Sequence, residues 1–516
     1  MPRAQSCFCI LLWLAFSGIN VQAQTQFFRS LRPIPSSYPI GLKRVPLEDE
    51  SRISSARTDA FGNPSSQARE RSISVLLWYP SQATSSRPLD VFGYLETSAA
   101  PHNDQEVPAV SPPELETAFL GENSGFTAVV DAPARKGRFP VVIYAPSFSA
   151  SAAENADLCE QIASAGYIVI AAPSRGAVTS SMTADQSGLT AQARDISFLL
   201  GYMKQLPSAN LDEVAVVGYS WGGLANIYAA GTDDRIRALV SLDGSIRYYV
   251  KLATDAGIHP EQMSQPLLLF TQGSIPLESD LVDGLIQNGD KSLVKQWTHA
   301  DFYRVEMNAM GHAAFASMNE RDNSVWSDPP GAALPGYERS EAATSYGWVV
   351  RYTIAFLNAY LKQDPQDADF IKRQPQQNGV PAHLLSITPR QASGIPLTVE
   401  AFRSALRKQH FQDASGLLSD IRTKQPDFTL DEQSLLEWGH DGLLDQGHVT
   451  EALEVGLVGV ELHPASSAAY SFLGDVHLGA GKKAIALEDF RKAVQLDHEN
   501  YHALDEVQQL GHSTLP

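Results

Sequence analysis

The sequence reads as an α/β protein: a doubly wound, mostly parallel sheet followed by an all-α helical repeat region. Three observations carry this reading. Between residues 139 and 361, short apolar runs alternate with helical patterns. One of those runs, 214–217, opens directly into Gly218-Tyr219-Ser220-Trp221-Gly222 and then into a helical stretch. Residues 397–516 lack strand patterns and instead repeat a helical unit.

Taken in order, residues 1–23 have the features of a signal peptide. Arg3 supplies a positive start, 7–16 is an apolar run too short to span a bilayer, and Val21-Gln22-Ala23 suits cleavage before Gln24. The expected location is therefore exported, periplasmic or secreted. No later run approaches 18 apolar residues, so no transmembrane segment is expected after signal removal. Cys7 and Cys9 fall within the signal. Cys159 is then alone in the mature chain and reads as a packed helix residue without a disulfide partner.

Residues 24–70 are polar and turn-rich, with an edge strand expected at 38–46. A clear strand follows at 72–80, ending at Pro80. Residues 81–137 are rich in Pro, Gly and Ser, with a helical pattern only at 114–119, and read as a surface excursion. Strands are expected at 141–145, 167–173, 214–217, 236–243, 266–271 and 302–307, the last of the sheet. Helices are expected at 153–166, 190–204 and 344–361. The α/β domain thus spans 24–364. Residues 365–396, rich in Pro and Gln, read as a linker.

In 397–516, Ala414, Ala452 and Ala486 each lead by the same interval to Pro426, Pro464 and His498. Tyr470, Leu473, Gly474, Ala486, Phe490 and Ala493 resemble a tetratricopeptide repeat, with His477 and His498 as departures. Small residues at these positions let paired helices approach, and stacking buries a shared face. Such repeats suit a protein partner.

A net charge of −19, from 58 acidic and 39 basic residues, argues against nucleic acid as a partner. No H-E-x-x-H, Cys/His zinc spacing, P-loop or G-x-G-x-x-G occurs, so neither metal nor cofactor is expected. Arg175-Gly176 after a strand could bind an anionic substrate, but reads first as a solvated loop arginine.

The G-x-S-x-G stretch, set between strand and helix, has the context of a nucleophile elbow with Ser220 at its tip. A serine hydroxyl needs a base within hydrogen-bond reach, and that base needs an orienting group. His312 follows the last expected strand, where a loop can return to the sheet top. His299 precedes that strand, and His259 lies in a helix-to-strand connection. For the acid, Asp243 ends the strand after the elbow helix, whereas Asp280 needs a looped excursion, so Asp243 is chosen. The oxyanion donors are expected to be the backbone N–H of Trp221 and of Phe148, with Ser147 the next choice, because Pro146 has no N–H.

From about residue 40 to 362 the chain resembles platelet-activating-factor acetylhydrolases and the wider dienelactone-hydrolase-like group of α/β-hydrolases. The resemblance rests on 77–81, 139–145, 165–172, 218–223, Leu242-Asp243-Gly244 and 312–315. In that acetylhydrolase family the acid ends the strand after the elbow, which implies Ser220, Asp243 and His312. Pro146-Ser147 stands where the family usually has His-Gly, and the cysteine nucleophile of the dienelactone hydrolases proper is missing. The expected activity is carboxylic ester hydrolysis of a small-molecule substrate. The alternatives are a serine peptidase of prolyl-oligopeptidase type and a catalytically silent hydrolase fold serving as an adaptor. No blade-like strand units precede the core, as the peptidase reading would want.

Overall fold

The computed structural model describes residues 30–34, 37–53, 70–98, 125–178, 181–273, 293–327 and 334–513. The signal-peptide expectation, the helical pattern at 114–119 and Asp280 lie outside these residues. Contacts divide the chain into two compact units. The first runs to Gln391, apart from Glu261–Ser264 and Trp297–Ala300, and the second holds those two segments and Ala392–Pro516.

The first unit is built on a 10-stranded sheet in the order β10-β9-β8-β7-β6-β4-β5-β2-β1-β3. Its strands are β1 (Ile40–Ile53), β2 (Glu70–Pro80), β3 (Ala128–Val130), β4 (Phe139–Ala145), β5 (Ile168–Ala171), β6 (Ala209–Tyr219), β7 (Ala238–Leu242), β8 (Leu267–Gln272), β9 (Phe302–Met307) and β10 (Leu385–Arg390). The run β5-β4-β6-β7-β8-β9 is parallel throughout. Its strands are near-continuous apolar runs because helices cover both faces. All of β4 is buried, as are Val214 to Tyr219 of β6. The helices Ala156–Ser164, Gln186–Met203, Trp221–Thr232 and Arg339–Leu361 supply the layers.

Three features depart from the sequence expectations. The strand expected at the edge, β1, lies one place inside it, pairing antiparallel with β2 and parallel with the short β3. Residues 365–396 are not a linker. They carry the helix Pro365–Lys372, capped by the Asp364 carboxylate, and β10, which pairs antiparallel with β9 from Leu385↔Met307 to Arg390↔Phe302. The strand at 302–307 is consequently not the last of the sheet. Composition misled here because Pro365 and Pro375 sit at the starts of helical turns, where a missing N–H costs nothing.

A charged cluster is buried beside the core. Arg321 pairs with Asp157 through Nε at 2.9 Å and Nη2 at 2.6 Å, and both side chains are fully buried. Arg32 reaches Glu160 at 2.7 Å. Glu160 also accepts from the Tyr94 hydroxyl at 2.6 Å and the Thr127 N–H at 2.8 Å.

In the second unit, helices run Val399–Lys408, Ala414–Lys424, Glu432–Gly439, Val449–Leu462, Ser467–Gly479, Lys483–Leu496 and Tyr501–Ser513. Ala414, Ala452 and Ala486 are all fully buried near the starts of alternate helices. At Gly474 a Cβ would lie 2.7 Å from the Phe490 ring, and at Gly456 one would lie 3.1 Å from Leu473. The small residues therefore permit close helix approach. Side-chain caps from Thr398, Asp413, Asp431 and Ser466 start four of these helices. Among the described residues, no helix is long and apolar enough to cross a membrane.

Candidate active site

The sheet reverses its strand order at β4, which has β5 on one side and β6 on the other. Ligand crevices in open α/β sheets form at such a point, beyond the carboxyl ends of the strands. Register sets the strand ends side by side: Ala145 opposite Gly218, Tyr219 opposite Leu242, and Leu242 opposite Phe270. The segments that leave β4, β6 and β7 therefore start side by side.

Ser220 sits between β6 and the helix Trp221–Thr232 with φ 53° and ψ −116°. A non-glycine residue pays for this geometry in strain, and the surroundings must hold it. The Ser220 N–H donates to the Leu242 carbonyl at 3.1 Å, and the Ser220 carbonyl accepts from Gly223 at 3.0 Å and Ser245 at 2.9 Å. Two glycines make room for the turn. A Cβ on Gly218 would lie 2.2 Å from the Gly222 carbonyl oxygen, and one on Gly222 would lie 2.0 Å from that of Ala145.

Asp243 follows β7 directly, also at positive φ, 40°. It is 1% exposed. Its Oδ1 accepts from the Gln272 N–H at 3.1 Å, and its Oδ2 lies 2.6 Å from His312 Nδ1. His312 opens the short 3-10 turn His312–Phe315. Its Nε2 lies 2.9 Å from Ser220 Oγ. The imidazole lies against the Tyr219 ring, with centroids 5.1 Å apart, and the Tyr219 hydroxyl donates to the His312 carbonyl at 2.8 Å. Burial, then the carboxylates of Glu154 and Asp243, push the Tyr219 phenol well up, so it stays a neutral donor. The structure thus brings Ser220, His312 and Asp243 into one hydrogen-bonded chain. It does not bring in His299, which belongs to the second unit.

After β4, the Ser147 N–H donates to Glu154 Oε2 at 2.8 Å, and the Ser147 hydroxyl bonds to Glu154 Oε1. Among the described residues, the N–H groups of Phe148 and Trp221 have no acceptor. The Phe148 ring, 45% exposed, stands edge-on to buried Trp221 at 5.7 Å, and Trp221 stands edge-on to Tyr249 at 5.3 Å. An aromatic wall therefore borders Ser220. Glu154 and Tyr249 carry no sequence motif, and Tyr219 enters only as a variable position of G-x-S-x-G. Glu154 reads from the sequence only as a residue at a helix start.

Such a chain of groups can move a proton from a serine hydroxyl to imidazole while a carboxylate fixes the ring. The fold is that of an α/β-hydrolase. The model of the family described as Chlorophyllase matches residues 114–257. That segment holds Phe148, Ser220 and Asp243 and ends before His312. No curated protein matches the chain. Among solved structures, a ferulic acid esterase from Streptomyces cinnamoneus is 22% identical with a TM-score of 0.49, covering 70% of this chain and 99% of its own.

Proposed function

We propose that this chain is a serine hydrolase of carboxylic esters. The observation that carries the reading is the Ser220–His312–Asp243 geometry, with contacts of 2.9 and 2.6 Å made from the segments that follow β6, β9 and β7. The match to the Chlorophyllase family model is in keeping with an ester as substrate. In this reading Ser220 Oγ attacks the ester carbonyl while His312 Nε2 takes its proton. Asp243 holds the imidazole with its Nδ1 proton directed at the carboxylate. The N–H groups of Trp221 and Phe148 stabilise the oxyanion. His312 then returns the proton to the departing alcohol, and water releases the acid from the acyl-enzyme by the same route.

The first 23 residues are proposed to direct export. The helices of the second unit are proposed to be tetratricopeptide-like repeats that receive a protein partner. The test of function is a fluorophosphonate probe with Ser220→Ala as control, followed by a chain-length series of p-nitrophenyl esters. Labelling of the wild type and not of the variant, with ester turnover, is expected. Labelling that persists in Ser220→Ala would place the nucleophile elsewhere.

A further inference from the structure

We propose that Glu154 is a positioning residue that sets the oxyanion loop through Ser147. The inference rests on the reading of Ser220 as nucleophile and deepens it.

Beyond β4 the chain must deliver one N–H, that of Phe148, to a point beside Ser220, and Pro146 cannot hydrogen-bond through nitrogen to help fix the turn. Each neighbour of Phe148 is tied instead. The Pro146 carbonyl accepts from the Gln192 amide at 2.8 Å. The Ser149 hydroxyl, on a residue at φ 59°, accepts from the Met182 N–H at 2.9 Å. Ser147 is tied twice, by N–H and by hydroxyl, to the two oxygens of Glu154. The Tyr144 hydroxyl donates to the same carboxyl at 3.1 Å. Releasing Glu154 therefore frees Ser147, the residue directly before the donor.

Glu154 is itself well anchored. Its carbonyl accepts from the Met318 N–H at 3.2 Å. The next residue, Asn155, is fully buried and donates to the Tyr144 hydroxyl at 2.8 Å and the Phe315 carbonyl at 2.9 Å. Asn155 Oδ1 accepts from the Ser317 N–H at 2.8 Å and the Tyr346 hydroxyl at 2.7 Å. Adjacent residues thus hold the two sides of the reaction centre: Glu154 the oxyanion loop and Asn155 the segment that follows His312. Burial pushes the Glu154 carboxyl up to about 7, against the pull of the Ser147 and Tyr144 donors and of His312. Its contacts depend on reach more than on charge. An amide of the same length can accept from the Ser147 N–H and donate to the Ser147 hydroxyl.

The test compares Glu154→Gln, Glu154→Asp and Glu154→Ala for kcat and KM on p-nitrophenyl acetate, with melting temperatures. Loss of a positioned oxyanion donor costs about 10²-fold or more in kcat. Glu154→Ala should show that loss with KM within about threefold, because the donor acts on the transition state. Glu154→Gln should stay within about tenfold of wild type, and Glu154→Asp, which keeps charge but loses reach, should fall near alanine. The reverse order, aspartate active and glutamine impaired, overturns the proposal in favour of a charge role. Unchanged kcat in all three with only lowered melting temperatures overturns it in favour of a stability role. If the alanine variant does not fold, the glutamine–aspartate order decides. Fluorophosphonate labelling of the same proteins separates the two levels. A wild type that resists the probe removes the nucleophile reading and this proposal together, whereas a labelled wild type with the wrong variant order removes this proposal alone.

Discussion

Replacing Asp243 with asparagine tests the site at its least exposed point. The Gln272 N–H donates to Asp243 Oδ1 at 3.1 Å, so in the variant it holds the amide oxygen on that side. The new NH2 then faces His312 Nδ1 across what is a 2.6 Å contact in the native protein. Nδ1 must become the acceptor, and the ring proton moves to Nε2. That nitrogen lies 2.9 Å from Ser220 Oγ and can no longer take its proton. A wrong tautomer of this kind lowers kcat by about 10⁴, which is about 5 kcal/mol of lost transition-state stabilisation. The fold should survive, since shape and volume are kept. The assay is p-nitrophenyl ester turnover beside thermal melting, with Asp280→Asn as the comparison, expected to cost under about tenfold if it plays no part in the chemistry. A native-melting Asp243→Asn enzyme within tenfold of wild type would refute the reasoning. A crippled Asp280→Asn enzyme would move the acid to Asp280.

Three further outcomes are expected. Gly222→Ala places a Cβ 2.0 Å from the Ala145 carbonyl oxygen and 2.7 Å from that of Pro146; it should lose about 1–3 kcal/mol in denaturant unfolding and about 10²-fold in kcat as the oxyanion loop shifts. Arg321→Ala leaves the Asp157 carboxylate buried without its bidentate partner and should destabilise by about 3–5 kcal/mol, read from urea unfolding. A chain ending at Gln391 should keep esterase activity, whereas one ending at Gln366 lacks β10, leaves the β9 edge unpaired, and should aggregate in size-exclusion chromatography.

Much of the site was legible because the chemistry imposes local patterns. The Gly218–Gly222 spacing reflects a backbone crossing too close for any Cβ, and the apolar runs 214–217 and 236–243 stop within two residues of the observed strand ends at Tyr219 and Leu242. Asp243 and His312 could be chosen by position relative to those ends. Other features depend on contacts distant in sequence. Glu154 is joined to Ser147 only after a turn is formed, and nothing in its own neighbourhood distinguishes it from a helix residue. The β10 strand, Leu385–Arg390, has an exposed Ser386 and a proline, and its strand character comes from the β9 edge it completes. The helix Pro365–Lys372 was hidden by the proline that starts it.

The Arg32–Glu160 contact defines how far the amino terminus can be shortened. Glu160 is fully buried and receives its charged partner, Arg32, from the amino-terminal side of the sheet's first strand. Trimming that stops short of Leu31, itself buried in the core, leaves that carboxylate neutralised. A cut past Arg32 strands a negative charge in the core, a penalty of several kcal/mol that the Tyr94 and Thr127 donors only partly offset. Shortening of the chain therefore has a limit written into its interior, where the buried Leu31 and the charge of Arg32 stand next to each other.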